Sequence, residues 1–205
     1  MISRDSRQLN LGLFSYRMVT AEGEVVLLKD RLGKFLSLWR RKVVLPHLKG
    51  RLLDIGCGAN ELVRSYGGSG VGVDVFQWGD VDVIIDDASC LPFDDSSFDT
   101  VTVIAALNHI PNRREALAEI HRILLEDGLL LITMLPPFIS KIWHKIREPW
   151  DADQTERGMQ EGEVYGLTRK EVQKMLEYAG FFVQEEKRFM LCINTLYIAK
   201  KRKSR

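Results

Sequence analysis

From residue 51 onward, the apolar residues of this chain form short continuous runs separated by stripes of helical period. Five of these runs have the length and composition of buried strands, namely 51–56, 70–74, 81–85, 98–104 and 128–135. The segments 112–124 and 169–179 repeat their apolar residues with the period of an amphipathic helix. Strands that alternate with helices predict a mostly parallel sheet covered by helices.

The last third of this region carries clear boundary signals. Thr168 and Glu171 have the spacing of a capping box at a helix N-terminus, and Gly180 is a typical helix end. Asn112 and Glu115 suggest a similar start for the helix 112–124. The runs 181–187 and 191–200 then predict a final antiparallel pair of strands.

The N-terminal part, residues 1–49, is predicted to be an extension with a basic amphipathic helix outside the sheet. Its apolar stripe has helical spacing and consists of Leu28, Leu32, Phe35, Leu36, Trp39 and Val43. Two interpretations are open: a cap helix that packs on the domain, or a peripheral contact of residues 28–45 with anionic lipid.

A glycine turn follows the first strand and predicts a nucleotide pocket. Gly56 and Gly58 allow a ligand to approach the main chain, and Asp74 follows Gly56 by 18 residues, a distance that suits a carboxylate on ribose hydroxyls. Glu61 stands where a dinucleotide fingerprint has its third glycine, which argues against NAD. The acid Asp54 is better placed to meet a cation such as an α-ammonium group.

The segment 52–134 resembles the class I S-adenosylmethionine (SAM) methyltransferases of the type 11 group. The likeness rests on ordered motifs: Asp54-Ile55-Gly56-Cys57-Gly58, the strand-closing acid Asp74, Asp87-Ala88-Ser89-Cys90-Leu91-Pro92-Phe93, Phe98-Asp99-Thr100-Val101, Leu107-Asn108-His109-Ile110-Pro111 and Glu119-Ile120-His121-Arg122-Ile123-Leu124. Each motif is weak alone, and their common order and spacing make the resemblance specific.

The resemblance implies a Rossmann-like α/β fold with a seven-stranded, mostly parallel sheet, a C-terminal antiparallel hairpin, and SAM as cofactor. It places the SAM-binding domain in residues 50–205. The implied cofactor site comprises Asp54, Gly56, Cys57, Gly58, Asp74, Val75, Asp87, Ala88 and Ile104. In this family the glycine motif holds the methionine part, the acid at Asp74 binds the ribose, and Asp87 would accept from the adenine amino group.

Three positions depart from the family pattern. Asn60 stands at a common third glycine, 125–128 replaces a K-P-G-G turn, and Asn108 replaces the first histidine of an L-H-H run. The first two changes are tolerable at turns. The third weakens any catalytic role taken from that site.

Methyl transfer requires mainly alignment and exclusion of water, so the sequence indicates little about catalysis. His109, just past the fourth strand, is the candidate general base, and the alternative is a structural histidine at that corner. The segment 136–167 is predicted to be a substrate or lid insertion, with Trp143 and Trp150 as candidate acceptor contacts.

The cysteine and histidine content bears on the cellular location of the protein and on whether it binds a metal. Three cysteines and four histidines show no metal spacing, so we expect no metal, no disulfides and a cytoplasmic location. No apolar run approaches the roughly 20 residues needed to cross a bilayer.

Charge is unevenly distributed. Residues 1–50 carry ten Lys or Arg against four Asp or Glu, residues 51–199 carry fourteen against twenty-four, and 200–205 add five cations. The acidic central region argues against a nucleic-acid track, so the favoured acceptor is a small molecule, amphipathic or lipid-linked. The alternatives are an RNA or protein methyltransferase that grips through the basic ends, and a SAM-binding module without catalysis.

Overall fold

A computed structural model describes residues 23–147 and 160–202 of the 205-residue chain, and the side chains of 23–32, 144, 146 and 147 are outside that description. These residues form a seven-stranded sheet in the order β3-β2-β1-β4-β5-β7-β6. Strands β1 to β5 run parallel, and β7 pairs antiparallel with both β5 and β6. The predicted fold, including the antiparallel hairpin, is confirmed.

The strands coincide closely with the apolar runs. They are β1 (Leu52–Ile55), β2 (Gly70–Asp74), β3 (Val83–Ile84), β4 (Phe98–Ile104), β5 (Leu124–Met134), β6 (Phe181–Phe189) and β7 (Asn194–Lys201). The helices are α1 (Gly23–Val44), α2 (Glu61–Tyr66), α3 (Arg113–Ile123), α4 (Pro137–Arg147) and α5 (Arg169–Tyr178), with short 3₁₀ turns at Leu45–His47 and Leu107–His109.

Helices cover both faces of the sheet, as a parallel sheet requires. On one face, α3 and α5 pack on β1, β4 and β5 through a core that includes Leu117, Ile120 and Leu176. On the other face, α1 and α2 pack on β5 and β7 around Leu131 and Leu196. Alternate residues of β5 enter the two cores because strand side chains point to opposite faces.

Strand β5 begins earlier than the sequence predicts, directly at the end of α3. Between the pairs Phe98–Leu124 and Thr100–Leu129 the ladder of β4 and β5 shifts register. The residues 125–128 therefore bulge from the strand at the place where the family has its K-P-G-G turn, so the turn is kept inside a longer strand.

The capping box at α5 is confirmed: Thr168 Oγ1 accepts from the backbone N–H of Glu171, and the Glu171 carboxylate accepts from Thr168 N at 2.7 Å. Asn112 is the N-cap residue of α3, as predicted, but the expected side-chain capping bond is absent. Its amide donates to Asp87 Oδ2 at 2.5 Å instead. The side chain of Asn112 thus bonds to a residue distant in sequence, Asp87, and not to the backbone of its own helix.

Helix α1 packs on the sheet through the C-terminal half of its predicted stripe. Leu36, Trp39 and Val43 contact the core that contains the fully buried Val44. Phe35 is 53% exposed, so its predicted place on the packing face is wrong. The contacts favour the cap-helix interpretation for this half, and among the described residues no helix is both long and apolar enough to cross a membrane.

The basic C-terminal segment is partly structural. Lys200 and Lys201 belong to β7, and the Lys201 side chain is 4% exposed, with its Nζ 3.3 Å from Glu126 Oε1. An ammonium group in this position is unsuited to grip a polyanion, because it is buried and already paired.

Candidate functional site

The glycine turn joins β1 to α2 at the carboxyl end of the parallel strands. Gly56 and Gly58 have φ angles of 69° and 54°, which favour glycine. A Cβ on Gly56 would lie 2.5 Å from the Cβ of Ala106, whereas one on Gly58 would meet nothing within 4 Å. Gly56 is therefore packed directly against Ala106, whereas Gly58 borders open space.

Asn60 takes the place of a third glycine without disturbing the turn. Its φ of 57° is left-handed, a conformation that Asn tolerates. The side-chain amide donates to Asp80 O at 2.9 Å and to Asp82 Oδ2 at 2.8 Å. Asn60, which stands where the family often has glycine, thus links the glycine turn to the loop after β2 by two hydrogen bonds.

Asp54 lies in β1 and is 3% exposed. The Thr102 hydroxyl donates to its Oδ1 at 2.6 Å. Burial, opposed by this hydrogen bond and aided by the charge of Asp74, raises the pKa of Asp54 from 3.8 to about 7. A cationic group bound beside Asp54 would favour its ionised form.

Asp74 closes β2 and bridges toward the glycine turn. Its Oδ2 accepts from Gly58 N at 2.9 Å, and its Oδ1 accepts from Phe76 N at 3.2 Å. Each carboxylate oxygen has two acceptor sites, so the same carboxylate retains capacity for ligand hydroxyls. The neighbouring Val75 side chain is half-exposed.

Asp87 begins the loop after β3 and is held by three hydrogen bonds. Ser89 donates through its N–H at 2.9 Å and its hydroxyl at 2.8 Å, and Asn112 donates through Nδ2. Burial would raise the pKa of Asp87, but these hydrogen bonds outweigh it and the net shift is downward. Ala88 is buried in the core beneath this loop.

The E-I-x-R motif of α3 has a structural explanation. Glu119 Oε1 accepts from Leu91 N at 2.9 Å, and Arg122 Nη2 donates to Phe93 O at 2.8 Å. The two side chains also pair with each other, with Arg122 Nη2 2.7 Å from Glu119 Oε1. Together they hold the loop that carries Asp87 against the sheet.

A cleft of about 530 Å³ opens between α1 and the glycine turn. It is lined by Gly33, Lys34, Ser37, Leu38, Arg40, Arg41, Asp54, Gly56, Cys57, Gly58, Ala59, Glu61, Leu62 and Ile104. Five predicted cofactor residues therefore meet in one cavity, while Asp74, Val75, Asp87 and Ala88 lie outside its lining.

The α1 wall of this cleft is the part that sequence reasoning missed. Arg41 Nη1 lies 3.2 Å from Glu61 Oε2, and Ser37 Oγ donates to the same carboxylate oxygen at 3.4 Å. These contacts hold α1 across the start of α2. The sequence does show basic residues beside the apolar stripe of α1, including Lys34 and Arg41. Helical periodicity alone does not indicate which loop of the domain these residues face.

Cys57 is not a nucleophile in this setting. Burial, followed by the charges of Asp54, Asp74 and Asp82, raises its pKa to about 12, so the thiol stays protonated.

Within the part of the chain that the structure describes, no group of three or more His, Cys, Asp or Glu could hold a metal ion.

His109 ends the 3₁₀ turn that follows β4. Its Nδ1 is buried and lies 3.5 Å from Glu163 Oε2, although 22% of the side chain is exposed. Partial burial lowers the pKa of the nearby Arg113, and the negative charges of Glu163 and Glu171 oppose that shift. Glu163 carries no sequence motif, so the sequence alone could not have found it.

The segment 136–167 contains a helix, α4, that the sequence analysis did not predict. Trp143 lies on α4 and is partly buried, while Phe138 and Ile142 on the same helix are 72% and 42% exposed. Trp150 lies outside the described residues. After the gap, Val164 and Leu167 join the core, so the end of the segment is anchored.

Comparison with known proteins identifies the region of the glycine turn. A family model described as a methyltransferase domain matches residues 53–132. An uncharacterized protein of Methanocaldococcus jannaschii is 30% identical over 113 residues, 50% of this chain and 44% of that protein. Demethylmenaquinone methyltransferase of Renibacterium salmoninarum is 32% identical over 109 residues, 46% of each protein. The chain thus spans less than half the length of these two relatives.

A solved structure from Thermotoga maritima, described as a SAM-dependent methyltransferase and possible histamine N-methyltransferase, has the same fold. Its TM-score is 0.63 at 19% identity, over 85% of this chain and 96% of that one.

Proposed function

We propose that the chain is a class I SAM-dependent methyltransferase that transfers the SAM methyl group to a small-molecule acceptor; the methyltransferase-domain model over residues 53–132 and the shared fold support this. The observation that carries this proposal is the cleft between α1 and the glycine turn. The cofactor supplies an activated methyl group, and the chain supplies binding, alignment and exclusion of water.

We propose that the cleft holds the amino-acid end of SAM. The buried carboxyl of Asp54 would bind the α-ammonium group, and Lys34, Arg40 and Arg41 of α1 bring positive charge to the side where a carboxylate would lie. Only a glycine fits at position 56, so the main chain itself forms the floor. The cleft therefore offers a negative group to the ammonium of the ligand and positive groups to its carboxylate.

The adenosine part would extend from the cleft toward β2 and β3. Asp74 would accept from the ribose hydroxyls while its bonds to Gly58 N and Phe76 N fix its orientation. We propose that Asp87 meets the adenine amino group. Because its oxygens already accept three hydrogen bonds, its contribution is expected to be smaller than that of Asp74.

The acceptor is proposed to be a small amphipathic molecule. Demethylmenaquinone methyltransferases are among the relatives, and exposed apolar side chains occur on α1 (Phe35, Leu38) and on α4 (Phe138, Ile142). Trp143 and Trp150 are proposed acceptor contacts. His109 is the proposed general base for an acceptor that loses a proton, because its ring is partly exposed just past the end of β4.

Methyl transfer can be tested without knowing the acceptor. SAM labelled in its methyl group is incubated with the chain and with small-metabolite, lipid, RNA and protein fractions, with Asp74→Ala as the matched control. Label in the small-metabolite or lipid fraction, reduced in the control, supports the proposal. Label in RNA or protein favours the polyanion alternative, and SAM binding without transfer to any fraction favours the non-catalytic one.

The polyanion alternative makes a second, separable prediction. Replacing Arg202, Lys203 and Arg205 by Gln removes three positive charges beyond the end of β7. An enzyme acting on RNA would lose activity in a salt-dependent manner. The proposed small-molecule enzyme would keep its activity.

A further inference from the structure

We propose that Glu163 is a positioning residue for His109: its carboxylate accepts the Nδ1 proton and thereby leaves Nε2 as the proton acceptor. The inference rests on the proposed function, in which His109 is the base. The motivating geometry is the 3.5 Å separation between His109 Nδ1 and Glu163 Oε2, both of which are buried. The 3.5 Å separation is an ion-pair distance, and the hydrogen bond would form as the two atoms approach in the reactive complex, since catalytic hydrogen bonds are often long or poorly aligned without ligand.

The burial of Glu163 requires a charged or hydrogen-bonding partner. Its side chain is fully buried, whereas the exposure of the residue belongs to its backbone. A carboxylate without compensation is costly in such a place. The His109 ring 3.5 Å away and the nearby positive charge of Arg113 are the groups placed to stabilise it.

The backbone on both sides of Glu163 is fastened to the corner that carries His109. Val164 N donates to Asn108 O at 3.0 Å, and Asn108 Nδ2 donates back to Val164 O at 3.2 Å. Arg113 donates to Gly162 O at 3.0 Å. Residues 162 and 164 are thus both held, so the side chain between them has a fixed origin.

Asn108 acquires a role in this arrangement. It replaces a histidine of the family motif, is 6% exposed, and forms both hydrogen bonds to Val164. Asn108, whose presence in place of histidine weakened the predicted catalytic role of this motif, therefore helps to position Glu163 beside His109.

The chemistry balances with these two residues. An acceptor O–H, N–H or acidic C–H gives its proton to His109 Nε2 as its electron pair forms the bond to the methyl carbon, and the pair of the broken carbon–sulfur bond stays on sulfur. The resulting imidazolium faces the carboxylate of Glu163, which stabilises the positive charge. Without Glu163, the ring would distribute between two tautomers, one of which has no lone pair on Nε2.

The pairing is tested by ¹⁵N NMR of the histidine rings in the full chain, with His109→Gln used to assign the His109 signals. We expect the wild-type neutral ring to carry its proton on Nδ1. Glu163→Gln, which keeps an acceptor oxygen, should retain this tautomer, and Glu163→Leu should give a mixture. A wild-type ring protonated on Nε2, or an unchanged tautomer in Glu163→Leu, overturns the inference.

The kinetic arm uses SAM and the acceptor fraction that takes up label. Glu163→Leu should lower turnover about tenfold, less than the roughly 100-fold or more that a general base contributes, because part of the ring population keeps Nε2 free; SAM affinity and the acceptor KM should stay unchanged. Glu163→Asp should recover part of the loss, and the exposed Glu161→Gln is the matched control. Equal effects on SAM affinity and turnover would indicate a merely structural role and overturn the inference.

Failure of the two ideas is distinguishable. If His109→Gln transfers methyl groups at the wild-type rate, His109 is not the base and Glu163 positions nothing for the reaction. Methyl transfer itself would still stand, because it is read from the label and not from either variant.

Discussion

Asp54 is a buried carboxyl group with a pKa of about 7, so the affinity of this chain for SAM is expected to rise with pH between 5 and 7. Only the ionised carboxylate can pair with the α-ammonium group of the ligand. The ionised fraction is about a hundredth at pH 5, about a tenth at pH 6 and about a half at pH 7. The dissociation constant should therefore fall roughly tenfold from pH 5 to 6 and roughly fivefold from pH 6 to 7.

The sign is opposite for the stability of the ligand-free chain. The folded-state pKa of Asp54 lies above its ordinary value of 3.8, so the folded chain binds more protons than the unfolded chain between about pH 4 and 7. Stability from this group is present at low pH and is lost as pH rises through that window. SAM binding and folding thus respond to pH in opposite directions.

Isothermal titration calorimetry in buffers of different ionisation enthalpy measures both affinity and proton release. At pH 6, close to one proton should be released for each SAM bound, and S-adenosylhomocysteine should behave alike because it shares the ammonium group. Asp54→Asn should bind weakly at every pH with no slope between pH 5 and 7. An affinity of the wild type that is constant over this range, or the same slope in Asp54→Asn, would refute the reasoning.

Three further outcomes are expected. Asp74→Ala should weaken SAM binding tenfold or more in calorimetry, since each charge-assisted bond contributes about 1.5–3 kcal/mol, and an unaffected variant would reject the ribose assignment. Gly56→Ala should abolish SAM binding and lower the thermal midpoint, because its Cβ would lie 2.5 Å from Ala106 Cβ, and a variant with wild-type binding contradicts this close packing. Thr168→Ala should cost about 1 kcal/mol of stability in urea unfolding while SAM affinity stays unchanged, because its capping partner Glu171 lies on α5.

The parts of the site that could be predicted are those in which a local backbone requirement selects the residue type. The left-handed turn at Gly56 and Gly58 and the acid that ends β2 are both readable from neighbouring residues. The capping box at Thr168 is readable for the same reason. The fold followed because the apolar runs have the period of their elements.

The rest depends on contacts between distant residues. Asn112 has the composition of a cap, yet its amide bonds to Asp87, which is 25 residues away in sequence. Glu163 meets His109 only because the segment after α4 returns to the corner past β4. No local pattern encodes such a meeting, so the sequence could propose His109 as a base but not the carboxylate beside it.

The position of β7 within the sheet has a consequence for how the chain folds. This strand is formed by residues 194–201, yet it lies between β5 and β6 and supplies the only neighbour of β5 on that side among the described residues. A ribosome must therefore synthesise the chain through residues 194–201 before this edge of β5 is covered. Until then, an apolar strand with unpaired backbone groups is open to other chains. We expect chains that end before β7 to aggregate and to require chaperones. Chains that include β7 should fold slowly, because the pairing of β5 with β7 closes a loop of about sixty residues.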